Sequence, residues 1–270
     1  MASTNEKGHY ARILNDTEIE KLSLDKVTIS DFKQNKLELE AKRNWDLFYK
    51  RNRGNFFKDR HWTKREFEEL ANETSKENEQ SVLLEVGCGA GNFMFPLISE
   101  GVNFYFYACD FSPRAVELVK ANELYDSSIC NAFVCDITQD DLANVIPVGT
   151  ISISTLIFVL SAIHPEKMLF ALKNIYKVLK PNGILLFRDY GLYDQAMLRF
   201  KPGHKLSENF YVRQDGTRAF YFSEEYLGKL MVEAGFEVIA NKYVSRETVN
   251  HKEGICVPRV YIQGKFLKPR

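Results

Sequence analysis

Cysteine is scarce in this 270-residue chain. The five present, Cys88, Cys109, Cys130, Cys135 and Cys256, are an odd number without metal-ligand spacing. They read as reduced thiols, three of them at the ends of buried strands, which argues against a disulfide scaffold and against a metal centre. Long apolar runs are missing as well. The longest, Ile151 to Ile163, contains serines and is too short to span a bilayer. The amino terminus lacks a charged region followed by an apolar core, so neither secretion nor anchoring is expected; a cytoplasmic enzyme fits, with nuclear residence also open. Net charge is absent, with 36 basic and 36 acidic residues. Taken alone, that balance argues against a nucleic-acid partner. No internal repeat is visible. With 45% hydrophobic content the chain can form one large α/β domain plus an appendage.

The most informative feature present is Leu84-Glu85-Val86-Gly87-Cys88-Gly89-Ala90-Gly91-Asn92. Ser81 to Val86 is apolar and β-rich, as a strand buried on both faces should be, and Phe93 to Ile98 supplies the apolar face of a following helix. Glycine is needed between them because so tight a turn brings the main chain against a ligand. Dinucleotide enzymes use a related turn, usually G-x-G-x-x-G. This chain reads G-x-G-x-G with Glu85 two positions ahead, which points to S-adenosylmethionine.

The rest of a nucleoside site follows by spacing. Phe104 to Cys109 is a second strand, and Asp110 ends it where a carboxylate would accept from both ribose hydroxyls. Ser112 and Pro113 suit the cap and first position of the next helix. A third strand, Asn131 to Cys135, ends in Asp136, placed for the adenine amino group. The fourth, Thr150 to Leu156, runs into Ile157 to Leu160, whose side chains would cover the adenine face. A lone aspartate after a strand is more often a cap or turn former; the glycine turn, Asp110 and Asp136 in order favour the cofactor.

Charge is unevenly spread. Lys33 to Arg65 holds eleven basic residues against four acidic, interleaved with Trp45, Phe48, Tyr49, Phe56, Phe57, His61 and Trp62. Lys242 to Arg270 holds seven basic against two acidic. Such runs are commonly solvated helix faces, but aromatics among cations also suit stacking on bases beside phosphates.

Three regions result. Residues 1–30 are polar and read as a mobile segment or docking arm. Residues 31–80 read as a basic, aromatic helical arm, with a helix from Asp31, a turn at Gly54-Asn55, a second helix from Thr63, and a linker from Asn72 to Gln80. Residues 81–270 form the main domain. There Pro165 to Leu179 is a helix ending at Lys180-Pro181-Asn182-Gly183, Ile184 to Phe187 a fifth strand, and 191–222 a loop-rich insertion. Ser223 caps a helix through Ala234. Phe236 to Val244 and Val257 to Leu267 are a closing antiparallel hairpin, separated by the polar Ser245 to Gly254. The alternation means a three-layer fold with its ligand above the carboxyl ends of the strands.

Two acceptor chemistries lack their residues. The Asn or Asp followed by Pro-Pro and an aromatic, common in exocyclic-amine methylation, is replaced here by Leu156 to Ser161. The Pro-Cys or Thr-Cys pair of cytosine-carbon methylation is absent. An acceptor that already owns a lone pair remains: a ring nitrogen, or a small-molecule or protein nitrogen.

The runs Asn44 to Arg51, Asn55 to Trp62, Phe187 to Asp194, Asn209 to Arg218 and Cys256 to Arg259 resemble the eukaryotic tRNA 3-methylcytidine methyltransferases of the methyltransferase-like group. The resemblance runs from about Asp31 to Pro269. It implies a class I, Rossmann-like fold with a seven-stranded, mostly parallel sheet, an antiparallel last strand and a helical arm in front. It also implies S-adenosylmethionine as methyl donor, with S-adenosylhomocysteine as product and no metal. Length and the short amino terminus are nearest the branch that modifies an anticodon-loop cytidine of serine tRNA together with seryl-tRNA synthetase. Cofactor contacts are implied from Trp45, Tyr49, Gly87, Asp110, Asp136 and Ile157, to which the glycine turn adds Glu85, Gly89 and Gly91.

On that resemblance the target base leaves the stack and enters a pocket. Phe56 and Phe57 are expected to flank it, and Arg60 and Arg213 to contact the adjoining phosphates. Asp189 is expected to accept from the cytosine amino group; its alternative is an ion pair with Arg188 or another arginine, and that of the two phenylalanines is a place in the arm's core. Two other readings stay open: a protein or small-molecule N-methyltransferase on the same fold, and a non-catalytic RNA-binding scaffold.

Overall fold

Apolar β-rich stretches alternating with amphipathic ones dictate strands and helices in turn. The computed structural model describes residues 12–52, 56–71, 80–250 and 255–270. Ahead of the sheet lie α1 (Asp16–Leu24), α2 (Asp31–Leu39), α3 (Ala41–Asn52) and the single turn α4 (Thr63–Glu66). Of the segment expected to be mobile, residues 1–11 lie outside the described part, whereas α1 is a helix closed by a capping box between Asn15 and Glu18. The expected turn at Gly54-Asn55 and linker residues 72–79 also lie outside the described residues.

The core comprises β1 (Ser81–Val86), β2 (Phe104–Asp110), β3 (Cys130–Val134), β4 (Ile151–Ile157) and β5 (Leu179–Tyr190), with helices α5 (Met94–Ser99), α6 (Pro113–Lys120) and α7 (Pro165–Val178) between strands. Ser112 caps α6, its Oγ accepting from the Ala115 N–H at 3.4 Å. After β5 come α8 (Gln195–Leu198), the short strands β6 (Lys205–Ser207), β7 (Phe210–Val212) and β8 (Arg218–Phe220), α9 (Glu224–Glu233), and the hairpin β9 (Glu237–Asn250) and β10 (Ile255–Leu267). The main sheet runs β3-β2-β1-β4-β5-β10-β9, parallel except that β10 is antiparallel to both neighbours. Its order reverses between β1 and β4, which opens a crevice at the carboxyl ends of those two strands.

Within the loop-rich insertion 191–222, β6, β7 and β8 form a separate antiparallel sheet over the buried side chains of Met197, Tyr211 and Tyr221. Two expectations need correction. The Lys180 to Gly183 turn lies inside β5, where the register against β4 shifts as Asn182 takes a φ of 61°. The closing hairpin is longer than expected, because Ser245–Asn250 pairs with Ile255–Val260.

The insertion is fastened to the hairpin by Asp194, which is fully buried. Its carboxylate accepts from Arg259 Nε at 2.8 Å, the Val260 N–H at 2.8 Å and the Ala196 N–H at 2.9 Å. Removing one partner of such a pair leaves the other charge without compensation. Asp194→Ala should therefore lose about 3–5 kcal/mol of unfolding free energy, read from chemical denaturation. A loss below about 1 kcal/mol, the range of an exposed ion pair, would mean that Arg259 finds another anion.

Candidate active site

The crevice contains two adjoining cavities. The larger, about 330 Å³, lies over the carboxyl ends of β1, β2 and β3 and is lined by Gly87, Asp110, Asp136, Phe158 and Val159, with Trp45 and Tyr49 of α3 on its roof. The smaller, about 50 Å³, has room for a few waters. Its wall includes Glu85, Gly89, Arg60, Phe57, Ile157, Ser161, Tyr190 and Arg213. Trp45, Tyr49, Gly87, Phe158 and Arg218 line both.

The floor is the glycine turn. Gly87 and Gly89 have φ of 64° and 55°, and an added Cβ would come within 2.4 Å of Val159 Cγ2 at the first and 2.9 Å of the Tyr49 hydroxyl at the second. Neither position tolerates a side chain. Gly91 lines neither cavity; its close neighbour is the Phe95 ring. Asp110 Oδ2 accepts from the Gly89 N–H at 3.0 Å and Oδ1 from the Ser112 N–H at 2.9 Å, so one carboxylate joins two loops and borders the larger cavity. Burial raises its pKa to about 6.

Glu85 is 3% exposed, and its Oε2 has no hydrogen-bond partner. Burial lifts its pKa to about 8, with Arg60 working in the opposite direction. An unpartnered buried carboxyl oxygen on the small cavity suits the ammonium group of a methionine moiety. With the glycine cradle and Asp110, these residues fit S-adenosylmethionine.

Other residues are placed differently from expectation. Asp136 does border the larger cavity, but its carboxylate closes its own turn, accepting from the Thr138 N–H at 3.0 Å and Gln139 Nε2 at 2.9 Å. Ile157 lines the small cavity; Phe158, at a φ of 60°, and Val159 border the larger one. Phe57 reaches the small cavity, whereas Phe56 is 60% exposed, packs against Phe48 and Phe57, and borders no described cavity. Arg60 is not on an exposed phosphate-facing surface. It is half-buried in the cavity wall, donating from Nη1 to the Ile157 carbonyl at 3.1 Å and lying 5.5 Å from the Phe158 ring centre. Arg213 lines the same small cavity; its guanidinium donates to the Arg218 carbonyl at 2.8 Å and covers Tyr190.

Asp189 requires the largest correction. It is fully buried and borders neither cavity. Its Oδ2 accepts from the Ser161 N–H at 2.9 Å and its Oδ1 from the Tyr190 N–H at 2.9 Å. Burial raises its pKa to about 6, hydrogen bonds from Ser161 and Tyr190 limiting the rise. Of the alternative partners Arg188 is excluded, since it pairs with Glu66 at 3.6 Å and lies over Trp62, whereas the charge of Arg213 does favour the ionised Asp189. Ser161 and Tyr190 occupy the wall that Asp189 was expected to form. Period-two alternation signals this, since Asp189 shares a strand face with core Phe187, and Tyr190 the opposite face.

The arm closes the roof through polar contacts. Glu38 forms ion pairs with Lys167 and Arg218; burial opposes its ionisation, yet those two cations hold its carboxyl below the ordinary value. Asn44 Nδ2 donates to the Gly216 carbonyl at 3.2 Å, and Asp46 accepts from Ser112 Oγ at 3.0 Å.

Sheet order, glycine cradle and cavity define a class I S-adenosylmethionine-dependent methyltransferase, with S-adenosylmethionine as the cofactor. A family model described as a methyltransferase domain matches residues 27–241. A solved S-adenosylmethionine-dependent methyltransferase from Anabaena variabilis superposes with a TM-score of 0.61 at 13% identity, over 85% of this chain and 95% of that one. The finer grouping comes from sequence. tRNA N(3)-cytidine methyltransferase METTL6 of Homo sapiens is 60% identical over 269 residues, 100% of this chain and 95% of that protein. METTL2 of Xenopus tropicalis, with the same descriptive name, is 40% identical over 88% of this chain and 81% of its own length. The chain belongs to the tRNA N(3)-cytidine methyltransferase family.

The raised pKa of Glu85 sets a pH dependence. Below about 8 the carboxyl of the cofactor-free protein is protonated and must lose its proton to hold an ammonium group. Calorimetric affinity for S-adenosylmethionine should therefore rise from pH 6 to about pH 8 and then level off, approaching tenfold per pH unit at the steepest. Glu85→Gln should flatten the profile; an unchanged slope would assign it to another group.

Proposed function

We propose that this chain transfers a methyl group from S-adenosylmethionine to N3 of a cytidine in tRNA. The observation that carries the reading is the small cavity, where Phe57, Phe158 and Tyr190 stand beside Arg60 and Arg213 at the end of the cofactor cavity. Flat aromatic surfaces beside guanidinium groups suit an extruded base, which the free space of about 50 Å³ admits only as the wall opens. The cofactor supplies an electrophilic methyl on a sulfonium: the N3 lone pair forms the new bond to carbon as the carbon–sulfur pair departs to sulfur. Neutral cytosine already presents that lone pair, so no strong general base is required. The chain's task is to orient the acceptor and exclude water. Trp45 and Tyr49 cover the crevice, Glu85 and Asp110 hold the two ends of the donor, and Tyr190 and Phe158 fix the plane of the base.

The arm and its neighbours serve tRNA recognition in this reading. Lys33, Lys36, Lys50, Arg51, Lys58 and Arg65 are exposed or nearly so, and they form no ion pair among the described residues. The carboxyl-terminal cations are largely engaged within the fold: Arg246 with Glu66, Arg259 with Asp194, Lys265 with Glu69, and Lys268 with main-chain carbonyls. A modest free cationic surface on a chain of zero net charge favours a second protein that holds the rest of the RNA. We take the substrate to be serine tRNA and the partner to be seryl-tRNA synthetase.

Transfer from labelled S-adenosylmethionine to total tRNA, with and without seryl-tRNA synthetase, followed by nucleoside analysis, tests both levels. Labelled 3-methylcytidine confined to serine tRNA and increased by the synthetase is the expected result. Label in other tRNAs would remove the serine assignment. No label in any tRNA, with cofactor binding intact, would overturn the tRNA reading.

A further inference from the structure

The acceptor wall contains a polar side chain not used above. Ser161 is 2% exposed, borders the small cavity with Tyr190 and Arg213, and sits in the short turn that follows β4. Its N–H donates to Asp189 Oδ2 at 2.9 Å, and its hydroxyl is near enough to the same carboxylate to help hold its charge. Asp189 itself is sealed from the cavity.

A serine hydroxyl has one proton and two lone pairs. A hydroxyl beside a buried carboxylate turns its proton toward that charge, which leaves its lone pairs for the cavity and makes it an acceptor there. Cytosine offers an amino donor next to N3, whereas uracil offers a carbonyl acceptor. We propose that Ser161 determines base specificity, its Oγ accepting from the 4-amino group of the target cytosine while Asp189 fixes the direction of the hydroxyl. This rests on the tRNA-cytidine reading and deepens it. The arrangement also serves the reaction: as N3 acquires the methyl, positive charge spreads into the amino group, and the bond to a hydroxyl backed by a buried carboxylate strengthens. Asp189 is then a positioning residue that acts through Ser161.

The decisive measurement compares two substrate RNAs identical except that one carries, at the target, a pyrimidin-2-one ribonucleoside lacking the 4-amino group. Their binding to the full chain is measured by fluorescence anisotropy in S-adenosylhomocysteine, so the readout does not depend on turnover. The wild type should bind the cytidine RNA about 10–100-fold more tightly, the range for leaving a buried polar group unpaired. Ser161→Ala should bind the two RNAs equally, and Ser161→Thr, which keeps the hydroxyl, should retain the preference. Unchanged S-adenosylhomocysteine affinity checks the fold of each variant, and Ser161→Gly repeats the deletion if the alanine variant does not fold. Methyl transfer by the wild type together with a preference that survives in Ser161→Ala would overturn the inference, as would transfer with no wild-type preference. Absence of transfer to any cytidine would instead overturn the functional reading beneath it.

Discussion

Main-chain N–H groups that leave the carboxyl edge of the sheet need acceptors, and buried carboxylates supply them. Asp110 takes the Gly89 and Ser112 amides, Asp189 those of Ser161 and Tyr190, and Asp194 those of Ala196 and Val260. Each hydrogen bond to a charged group contributes about 1.5–3 kcal/mol, against a substantial cost of burying the charge. The cost is visible in the carboxyls of Asp110 and Asp189, both pushed up to about 6. What the expense secures is position. Each carboxylate connects separate stretches of main chain, so the cofactor floor, the acceptor wall and the insertion are all set relative to the sheet.

The cofactor half was legible in the sequence because its determinants are local. A turn with left-handed glycines, a strand ending in Asp110 and a Ser112-Pro113 helix start each follow from neighbouring residues, and all three appear as expected. The acceptor half was less legible. Asp189 has the same sequence context whether it faces a cavity or lies behind one; only its alternation with Phe187 distinguishes the two. The small sheet inside the insertion escaped because β6, β7 and β8 have three residues each, too few for a periodic pattern. Helix α1 escaped for another reason: none of its residues is buried, so it has no strong apolar stripe.

Basic residues proved a poor guide to RNA contact taken one at a time. Arg188 and Arg218 are buried and hold the arm through Glu66 and Glu38, and Arg259 is committed to Asp194. The same guanidinium groups also lie over aromatic rings: Arg188 over Trp62 at 4.2 Å and Arg259 over Tyr261 at 5.2 Å. In the carboxyl-terminal segment most of the charge excess is likewise internal framework, with Arg246, Arg259, Lys265 and Lys268 all engaged within the fold, so the surface left there for phosphates is smaller than its composition suggests.

The roof contact between Asn44 and Gly216 joins residues 172 positions apart, and a Cβ at Gly216 would come within 2.7 Å of the Asn44 amide nitrogen. During synthesis the roof helices therefore leave the ribosome long before the surface on which they rest. Trp45, Phe48 and Tyr49 must wait, uncovered, until α6 supplies Ala115 and Leu118, and the Asn44 contact waits for the insertion. The cofactor chamber is thus completed late, and a nascent chain halted before the insertion has a floor and a roof fastened at Asp46 but not at Asn44 or through the Glu38–Arg218 pair. Such a chain, unable to enclose the cofactor, forgoes the stabilisation that binding gives the finished protein.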